Sequence, residues 1–497
     1  MKRIIYPGVV LAAGLLVSQA VFFFLVLHSN VQLHDKLLAL ASAGYLIVPN
    51  AHVLPELTRI PAAFFGALFF TFTIGAGLSI VSLFAAWLYR RVFRGSIRFV
   101  VFLAVAWAVL IAAVNMGGFS LAGTVSIAVI PPFVFVFAVR QMPLNARPQG
   151  RLVAALQIVA VIVVALAWLP KTDRDVFIEI RDNLLLTNTV GKAFNDFYYS
   201  YTLYPAKLIK TPGQKLMAPV CTGGIRDENL KRRIEDTLVG YDYLPVAQNS
   251  PCDLYIDQET ESLALSNRKN AVIQTSTAAF FDSPGKVLGE FSENTDTQSY
   301  FRMIIFYSLF SALPLSLFLL VHAFFAALLF IVSPVFLRHA MASMLCMLIG
   351  VGAALPLYAS PDHKMASPDD IRAGLISDDW RHQRSALRAI GEASAEPVRY
   401  HRLHAHDHLA RSPYVPVRYW YASALGDSRH PEAVNILIRM LDDPHPNVAC
   451  TAYFGLGRSG GRQAIDEIKR RITESDHWYV QWYAYMSLRR LGWTQKK

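Results

Sequence analysis

Charged residues are scarce in this sequence. Asp, Glu, Lys and Arg make up 17% of its 497 residues, whereas 54% of the residues are hydrophobic. A typical soluble protein has about a quarter of its residues charged. The shortage of charge therefore excludes an ordinary water-soluble protein and indicates that much of the chain lies in a lipid bilayer.

The sequence motifs of the common enzyme classes are also missing. No Walker phosphate-binding loop, dinucleotide-binding glycine pattern, HExxH zinc motif or CxxC pair occurs in the sequence. Acidic residues are absent from the predicted membrane spans, although proton- and cation-coupled carriers generally need buried ionisable groups there. These absences count against an enzyme and against such a carrier. We predict no catalytic residue, no bound metal and no cofactor.

Basic residues outnumber acidic ones, and the excess lies in the hydrophobic parts of the chain. Residues 1–170 and 301–361 together carry 13 Lys and Arg but only two acids, Asp35 and Glu56. The remaining regions, 171–300 and 362–497, have net charges of −4 and +4, which cancel. The pI near 9.4 therefore reflects basic loops beside membrane spans, and we expect no nucleic acid as a partner.

Apolar runs long enough to cross a bilayer divide the chain, since a membrane-spanning helix needs about 20 apolar residues. Seven candidate spans lie near residues 4–28, 61–88, 99–116, 122–139, 152–170, 303–336 and 340–359. The predicted fold is mainly α: a polytopic transmembrane helical bundle with a soluble α+β insert and a C-terminal α-solenoid of helix pairs. The predicted regions are a membrane domain of about five spans (1–170), the insert (171–300), two further spans (301–361) and a repeat domain (362–497).

Arginines in the short loops predict the orientation of the spans. Arg90, Arg91, Arg94 and Arg98 follow the second candidate span, and Arg140, Arg147 and Arg151 lie between the fourth and fifth. Both loops are expected in the cytoplasm, which places the insert and the C-terminal region outside it. The weak point is the stretch 303–336, which is one tilted helix or, alternatively, a hairpin that would reverse the side of the C-terminal region.

The insert is predicted to mix helices and strands. A helix is expected from Asp227 to Val239, and the stretches 271–281 and 286–291 suggest a β-hairpin. Cys221 and Cys252 are its only cysteines, and outside the cytoplasm such a pair favours a disulfide, two free thiols being the alternative. Upstream of the insert, the apolar stretch 37–48 is too short to cross a membrane and is interpreted as an interfacial or re-entrant segment.

A self-similar unit recurs in the C-terminal region. Four helix ends at Gly391, Gly426, Gly457 and Arg489 are spaced by 35, 31 and 32 residues, a period typical of stacked helix pairs. Small residues recur inside the same helices at Ala386, Ala422, Ala452 and Ala484. They predict that neighbouring helices approach each other closely.

The residues of these units resemble a known family. Pro416-Val-Arg-Tyr-Trp-Tyr-Ala-Ser-Ala-Leu-Gly426 and the turn Leu441-Asp-Asp-Pro444 are similar to HEAT or HEAT-like repeats of the phycobilisome-lyase type. Ala449 and Gln481 replace an Arg that such repeats often carry, and Arg489 replaces a final Gly. The resemblance covers about a quarter of the chain and implies a surface for a protein partner, not a reaction.

Four histidines, His401, His404, His406 and His408, crowd into eight positions of this region. On an α-helix, His404 and His408 would share one face, so metal binding is geometrically possible. A solvated polar helix is the favoured interpretation, because no cysteine and no carboxylate other than Asp407 accompanies them.

The leading functional hypothesis is a membrane-embedded scaffold or assembly factor in a bacterial inner membrane. Its partners would be another membrane-associated protein and membrane lipid. The alternatives are a transporter or channel subunit, with Asn115 and His322 as the notable polar residues of the spans, and a membrane enzyme acting on a lipid or cofactor. The predicted partner-binding residues lie on the second helices of the repeats: Arg418, Tyr419, Trp420, Tyr453, Trp482 and Tyr483.

Overall fold

A computed structural model describes residues 6–142, 149–171, 175–267, 271–331, 335–359, 367–392, 403–428 and 430–495. Helices form most of this part of the chain, and a small mixed sheet lies in the insert.

The first region is a bundle of apolar helices. Its helices are α1 (Tyr6–Ser42), α2 (Ile60–Phe70), α3 (Ala76–Arg91), α4 (Ile97–Val114), α5 (Leu121–Gln141) and α6 (Gln149–Trp168). A π-helical turn, Thr71–Gly75, joins α2 to α3 without a break, so that Ile60–Arg91 is one continuous helix. At this turn α1 packs closely, because a Cβ on Gly75 would lie 2.6 Å from the Ser18 Cβ.

The insert follows α6. Its elements are α7 (Val176–Glu179), α8 (Thr189–Tyr201), α9 (Leu203–Ile209), β1 (Ala218–Gly224), α10 (Glu228–Val239), β2 (Tyr243–Pro245), β3 (Leu254–Glu259), β4 (Ser262–Ser266), β5 (Ala271–Ser276), α11 (Thr277–Asp282) and α12 (Pro284–Asn294). The strand order is β2-β1-β3-β4-β5, with β1 parallel to β2 and β3 and the other neighbours antiparallel. Side chains of α10 and α12 share a hydrophobic core with this sheet.

The predicted hairpin at 271–291 was wrong. Only Ala271–Ser276 is a strand, and α11 and α12 follow it. The Ser276 hydroxyl accepts a hydrogen bond from the Ala279 amide and so caps α11, while Pro284 begins α12, where its missing N–H costs nothing. The Ser-Pro pair therefore joins two helices and does not form a hairpin turn.

The remaining helices complete the bundle and form the C-terminal repeats. They are α13 (Ser299–Leu328), α14 (Val335–Ala359), α15 (Pro368–Leu375), α16 (Trp380–Glu392), α17 (Val415–Leu425), α18 (Pro431–Met440), α19 (Pro446–Ser459), α20 (Ile465–Glu474) and α21 (Trp478–Arg490). The uncertain stretch 303–336 contains one long helix, α13, and not a hairpin. A 3₁₀ segment, Leu403–Arg411, precedes α17 and takes the place of a first helix in its pair.

Six helices in the described residues are long and apolar enough to cross a membrane, namely Tyr6–Ser42, Ile60–Arg91, Ile97–Val114, Leu121–Gln141, Ser299–Leu328 and Val335–Tyr358. The remaining candidate span, 152–170, corresponds to a shorter apolar helix, Leu152–Trp168. These assignments rest on length and composition.

The first helix is longer than a bilayer requires. At about 1.5 Å per residue, 37 residues extend over roughly 55 Å, whereas the hydrocarbon core of a bilayer is about 30 Å thick. The stretch 37–48, interpreted from the sequence as an interfacial or re-entrant segment, continues α1 to Ser42 and then turns. Its side chains Leu37, Leu40, Ile47 and Val48 pack in the same hydrophobic core as the C-terminal repeats.

Candidate protein-binding face

The second helices of the repeats stack side by side, in the order α16, α17, α19, α21. Ala386, Ala422, Ala452 and Ala484 are buried between them, as the sequence pattern predicted. The end of α17 approaches α19 closely at Gly426, where an added Cβ would lie 2.7 Å from the Gly455 Cα. We call the surface that these four helices present to the insert the inner face.

A segment of the chain itself lies on the inner face. This docking segment, residues 175–210, comprises α7, a π-helical turn (Ile180–Leu185), α8 and α9. Its far end, α9, packs against α1 and α2 of the helix bundle. The docking segment therefore connects the apolar helices to the repeats.

Two arginines of α16 bind carboxylates of the docking segment. The Arg388 guanidinium donates to Glu179 Oε1 at 2.7 Å and to Asp175 Oδ2 at 2.5 Å. Arg384, with a side chain only 1% exposed, donates to Asn183 Oδ1 at 2.5 Å and lies 4.0 Å from Glu179 Oε2. Because both guanidiniums are buried, their charges depend on these partners for compensation.

On α17, two aromatic side chains hold an Arg-Asp pair. The Arg181 guanidinium lies 3.7 Å from the centre of the Tyr419 ring, and the Trp420 indole N–H donates to Asp182 Oδ2 at 2.7 Å. Arg181 and Asp182 also form an ion pair at 2.7 Å. Burial alone would lower the pKa of Arg181, but Asp182 and Tyr419 outweigh burial and raise it, so this guanidinium stays charged.

Amide and aromatic groups hold the middle of the docking segment. Asn195 and Asn447 are both buried and exchange hydrogen bonds through their amides, at 2.7 and 3.2 Å. Asn447 also donates to the Tyr199 hydroxyl at 3.1 Å, and the Tyr199 and Tyr479 rings lie 4.7 Å apart. A buried amide pair of this kind fixes the register of two helices, because a shift would leave both amides without partners.

The repeats are tied to other parts of the chain as well. The Asn50 amide donates to three backbone carbonyls at the end of α20, those of Ile472, Thr473 and Ser475, at 2.8 to 3.1 Å. Asp242 of the insert accepts from the Tyr485 hydroxyl and from Arg489. The repeats are thereby fixed to the insert and to the loop after α1.

Two of the predicted partner-binding residues lie inside the repeats. Arg418 is 8% exposed and forms a two-pronged ion pair with Asp443, at 2.6 and 3.1 Å, while its third donor reaches the Ser412 carbonyl. Tyr453 is 2% exposed and belongs to the hydrophobic core. These side chains hold neighbouring repeats together.

The other four predicted residues are on the inner face. Tyr419 and Trp420 contact the docking segment as described above. Trp482 is half-buried, with the Lys210 ammonium 5.7 Å from its ring, and Tyr483 packs against it with ring centres 5.0 Å apart. Binding of a separate partner by the six residues stays a prediction.

Residues that the sequence analysis missed include Arg384, Arg388 and Asn447. The sequence contains one signal that could have pointed to the two arginines, which is charge complementarity between two distant helices. Two arginines at i and i+4 fall on one face of α16, and carboxylates at 175, 179 and 182 fall on one face of a helix some 200 residues earlier. A single sequence does not show that these faces meet.

The other polar residues singled out from the sequence have local partners. Asn115 closes the turn between α4 and α5, because its amide donates to Ile111 O and Thr124 Oγ1 and accepts from the Ser120 N–H. In the apolar bundle, the His322 ring lies 3.2 Å from the Gln157 amide and stacks on His339 at 5.3 Å.

The cysteines and histidines are placed as follows. Cys221 and Cys252 are joined by a disulfide, with their Cα atoms 5.9 Å apart. His404 and His408 lie on a 3₁₀ segment that is kinked at His406, so the α-helical spacing does not apply to them, and the His404 ring stacks on His430. His401 lies outside the described residues. In the part of the chain that is described, no group of three His, Cys, Asp or Glu side chains is arranged to hold a metal ion.

Comparison of the chain with known proteins yields one match. Neither curated proteins nor solved structures match it. A family model described as HEAT repeats matches residues 404–489, which span the last three helix pairs of the stack. The C-terminal region of this chain therefore contains HEAT repeats.

Proposed function

We propose that the protein is a membrane-embedded scaffold that holds another protein at the membrane surface through its HEAT repeats and the adjoining insert. The observation that supports this proposal most directly is the inner face, which already holds a helical segment of the chain by ion pairs, a buried amide pair and ring contacts. HEAT repeats generally serve protein interactions, which agrees with this use. A face that recognises its own segment by side-chain contacts has the chemistry to recognise another helix.

The proposed location is an integral membrane position in a bacterial inner membrane, with the insert and the repeats outside the cytoplasm. Its support is a series of contacts at one end of the bundle. The loop after α1 contacts the repeats, the repeats contact the insert, and the insert contacts the turn between α4 and α5. Arg90 contacts the Val139 carbonyl near the ends of α3 and α5, at the opposite end. Basic residues favour the cytoplasmic side. Reporter fusions after Lys210 and Lys497 test this orientation, and a cytoplasmic signal from either fusion would contradict it.

The proposed partner site is the part of the inner face formed by Tyr419, Trp420, Trp482 and Tyr483. The docking segment covers this part, so a partner helix competes with it. Weakening the segment should therefore strengthen partner binding, just as removing a competing ligand does.

Asp182→Asn tests the competition. The change removes the charge that pairs with Arg181 while keeping the shape of the side chain. Full-length wild-type and variant proteins are purified in mild detergent, and stoichiometric co-purifying proteins are identified by mass spectrometry. The matched control is Asp236→Asn on α10, away from the inner face. More of the same partner on Asp182→Asn than on wild type or control supports the site, whereas absence of any stoichiometric partner on all three proteins contradicts the scaffold.

The rival that a specific observation favours is a transporter subunit. Gln157, His322 and His339 form a polar cluster between α6, α13 and α14, within otherwise apolar helices. Polar groups inside membrane-spanning helices often mark a path for a solute. Abolished transport in a His322→Phe variant that keeps its normal amount in the membrane would favour this rival over the scaffold.

A further inference from the structure

A cavity of about 630 Å³ lies where the helix bundle, the insert and the docking segment meet. Its walls come from the last turns of α1, the turn between α4 and α5, the start of α5, α9 and the segment before α13. The volume falls in the range of about 300–1,000 Å³ that is typical of small-molecule sites. The cavity does not include the inner-face residues proposed above as the partner site.

Four lysines line this cavity: Lys36, Lys207, Lys210 and Lys215. Only two carboxylates are found among its described lining residues, Asp253 and Asp296. Asp296 is already paired with Arg302. The four lysines therefore outnumber the one remaining carboxylate by three.

The positive charge is unevenly compensated. Lys36 and Lys215 converge on one oxygen of Asp253, at 2.6 and 3.1 Å. Within the described residues, no carboxylate lies within ion-pair distance of Lys207 or Lys210. Lys207 is only 8% exposed, its ammonium lies 6.0 Å from the centre of the Trp478 ring, and Asp253 stabilises its charge from beyond ion-pair distance. Burial and then the neighbouring Lys210 and Lys215 lower the pKa of Lys207 well below its usual range. A buried lysine with no anion at ion-pair distance loses its charge more readily than an exposed one, and a bound anion would stabilise the charged form.

Apolar side chains also line the cavity. Leu33 and Leu37 of α1, Leu121 and Ala122 of α5 and Leu208 of α9 contribute to its lining. Leu121 and Ala122 form the first turn of a helix that is proposed to cross the membrane, and the lining part of α1 begins at His28, about 20 residues into that helix. Given the proposed membrane embedding, the cavity lies at headgroup depth and has both cations and apolar side chains in its lining.

We propose that this cavity binds the phosphate group of an anionic membrane lipid. The lysines of α9 and the segment after it take the phosphate oxygens, and the apolar side chains of the lining take the first part of the acyl chains. Anionic headgroups are recognised in this way by basic pockets between membrane helices. The inference rests on the proposed membrane embedding but not on the proposed protein partner.

The test is lipid binding to the purified full-length protein in an uncharged detergent, measured by native mass spectrometry. The probes are phosphatidylglycerol, the zwitterionic phosphatidylcholine with the same chains, and inorganic phosphate as a competitor. We expect one phosphatidylglycerol to bind at least about tenfold more tightly than phosphatidylcholine, since hydrogen bonds to charged groups each contribute about a factor of ten. Millimolar inorganic phosphate should displace it only in part.

Variants locate the site. Lys207→Met and Lys210→Gln should each weaken phosphatidylglycerol binding roughly tenfold, whereas Lys286→Gln, an exposed lysine of the insert outside the cavity, should leave it unchanged. Lys210→Gln and the wild-type titration decide the matter if Lys207→Met does not fold. Equal binding of the two lipids, or unchanged binding by Lys210→Gln, overturns the proposal. If inorganic phosphate binds as tightly as phosphatidylglycerol and displaces it completely, the ligand is free phosphate and not a lipid.

Discussion

Glu179→Gln should loosen the docking segment from the repeats. In the structure, Glu179 Oε1 accepts from Arg388 at 2.7 Å, and its other carboxylate oxygen faces Arg384 at 4.0 Å. The two guanidinium side chains are 8% and 1% exposed, and that of Glu179 is 16% exposed. The change keeps the shape of the side chain but removes the negative charge between two buried cations.

The expected cost follows from the burial of this cluster. Removing one partner from a buried ion pair costs about 3–5 kcal/mol. Asp175 still pairs with Arg388, but it is 45% exposed, so its compensation is partly screened. We therefore expect a loss of about 3 kcal/mol, which lowers the docking equilibrium roughly a hundredfold.

Hydrogen exchange measured by mass spectrometry reads this equilibrium directly. Amides of α7, α8 and α16 should exchange roughly a hundredfold faster in the variant, while amides of the apolar bundle keep their protection. Glu228→Gln is the matched control, because Glu228 lies on α10 in an exposed pair with Lys231.

A double-mutant cycle identifies the interaction. Arg388→Met should cost clearly less in the Glu179→Gln background than in wild type, because the ion pair is then already broken. Protection of α7 and α16 within twofold of wild type in Glu179→Gln would refute the reasoning. So would an equal cost of Arg388→Met in both backgrounds.

Three further predictions concern other parts of the chain. Arg418→Ala should destabilise the repeats by about 3–5 kcal/mol, because it leaves Asp443 buried without its cation. Thermal unfolding of the full-length protein measures this loss, and the control Lys469→Ala should change the melting temperature little. Replacing Cys221 and Cys252 by Ser should destabilise the insert by about 3–4 kcal/mol in the loop-entropy view, and mass mapping without reductant should find the two linked; two free thiols would contradict the pairing. Burial raises the pKa of Asp253, but Lys215 and Lys36 outweigh burial and lower it to about 2. The ionised Asp253 therefore stabilises the folded protein above pH 4, and this stabilisation is lost as the pH falls toward 2. The melting temperature should fall over that interval in the wild type and fall less in Asp253→Asn.

The sequence predicted features that depend on local pattern. Hydropathy located the long apolar helices, and α13 could be read as one helix because 30 residues leave no room for two crossings. The spacing of Gly391, Gly426 and Gly457 predicted the stacked pairs, since close packing demands small residues at a fixed period. The disulfide could be predicted from the sequence because only two cysteines occur in the insert.

Features that depend on contacts between distant parts of the chain could not be predicted from the sequence. The Ser-Pro pair at 283–284 looks like a turn in isolation, and only the cap at Ser276 and the packing of α12 on the sheet make the region helical. In the sequence alone, Tyr419 and Trp420 are typical of an exposed binding surface. In the structure, Arg181 and Asp182 contact these two side chains. Pairing across more than 200 residues leaves no periodic trace in one sequence.

The central claim is that the inner face holds protein segments at the membrane surface, its own segment and that of a partner. Photo-crosslinking from single positions in intact membranes tests it most directly, with the reactive group placed at Trp482, at Tyr483 or, as a control, at Lys469 on the opposite side of the repeats. We predict that the two inner-face positions crosslink both to the docking segment and to one defined second protein, and that the control position crosslinks to neither. Crosslinks from Trp482 and Tyr483 to the chain's own residues only, with no second protein, would contradict the account.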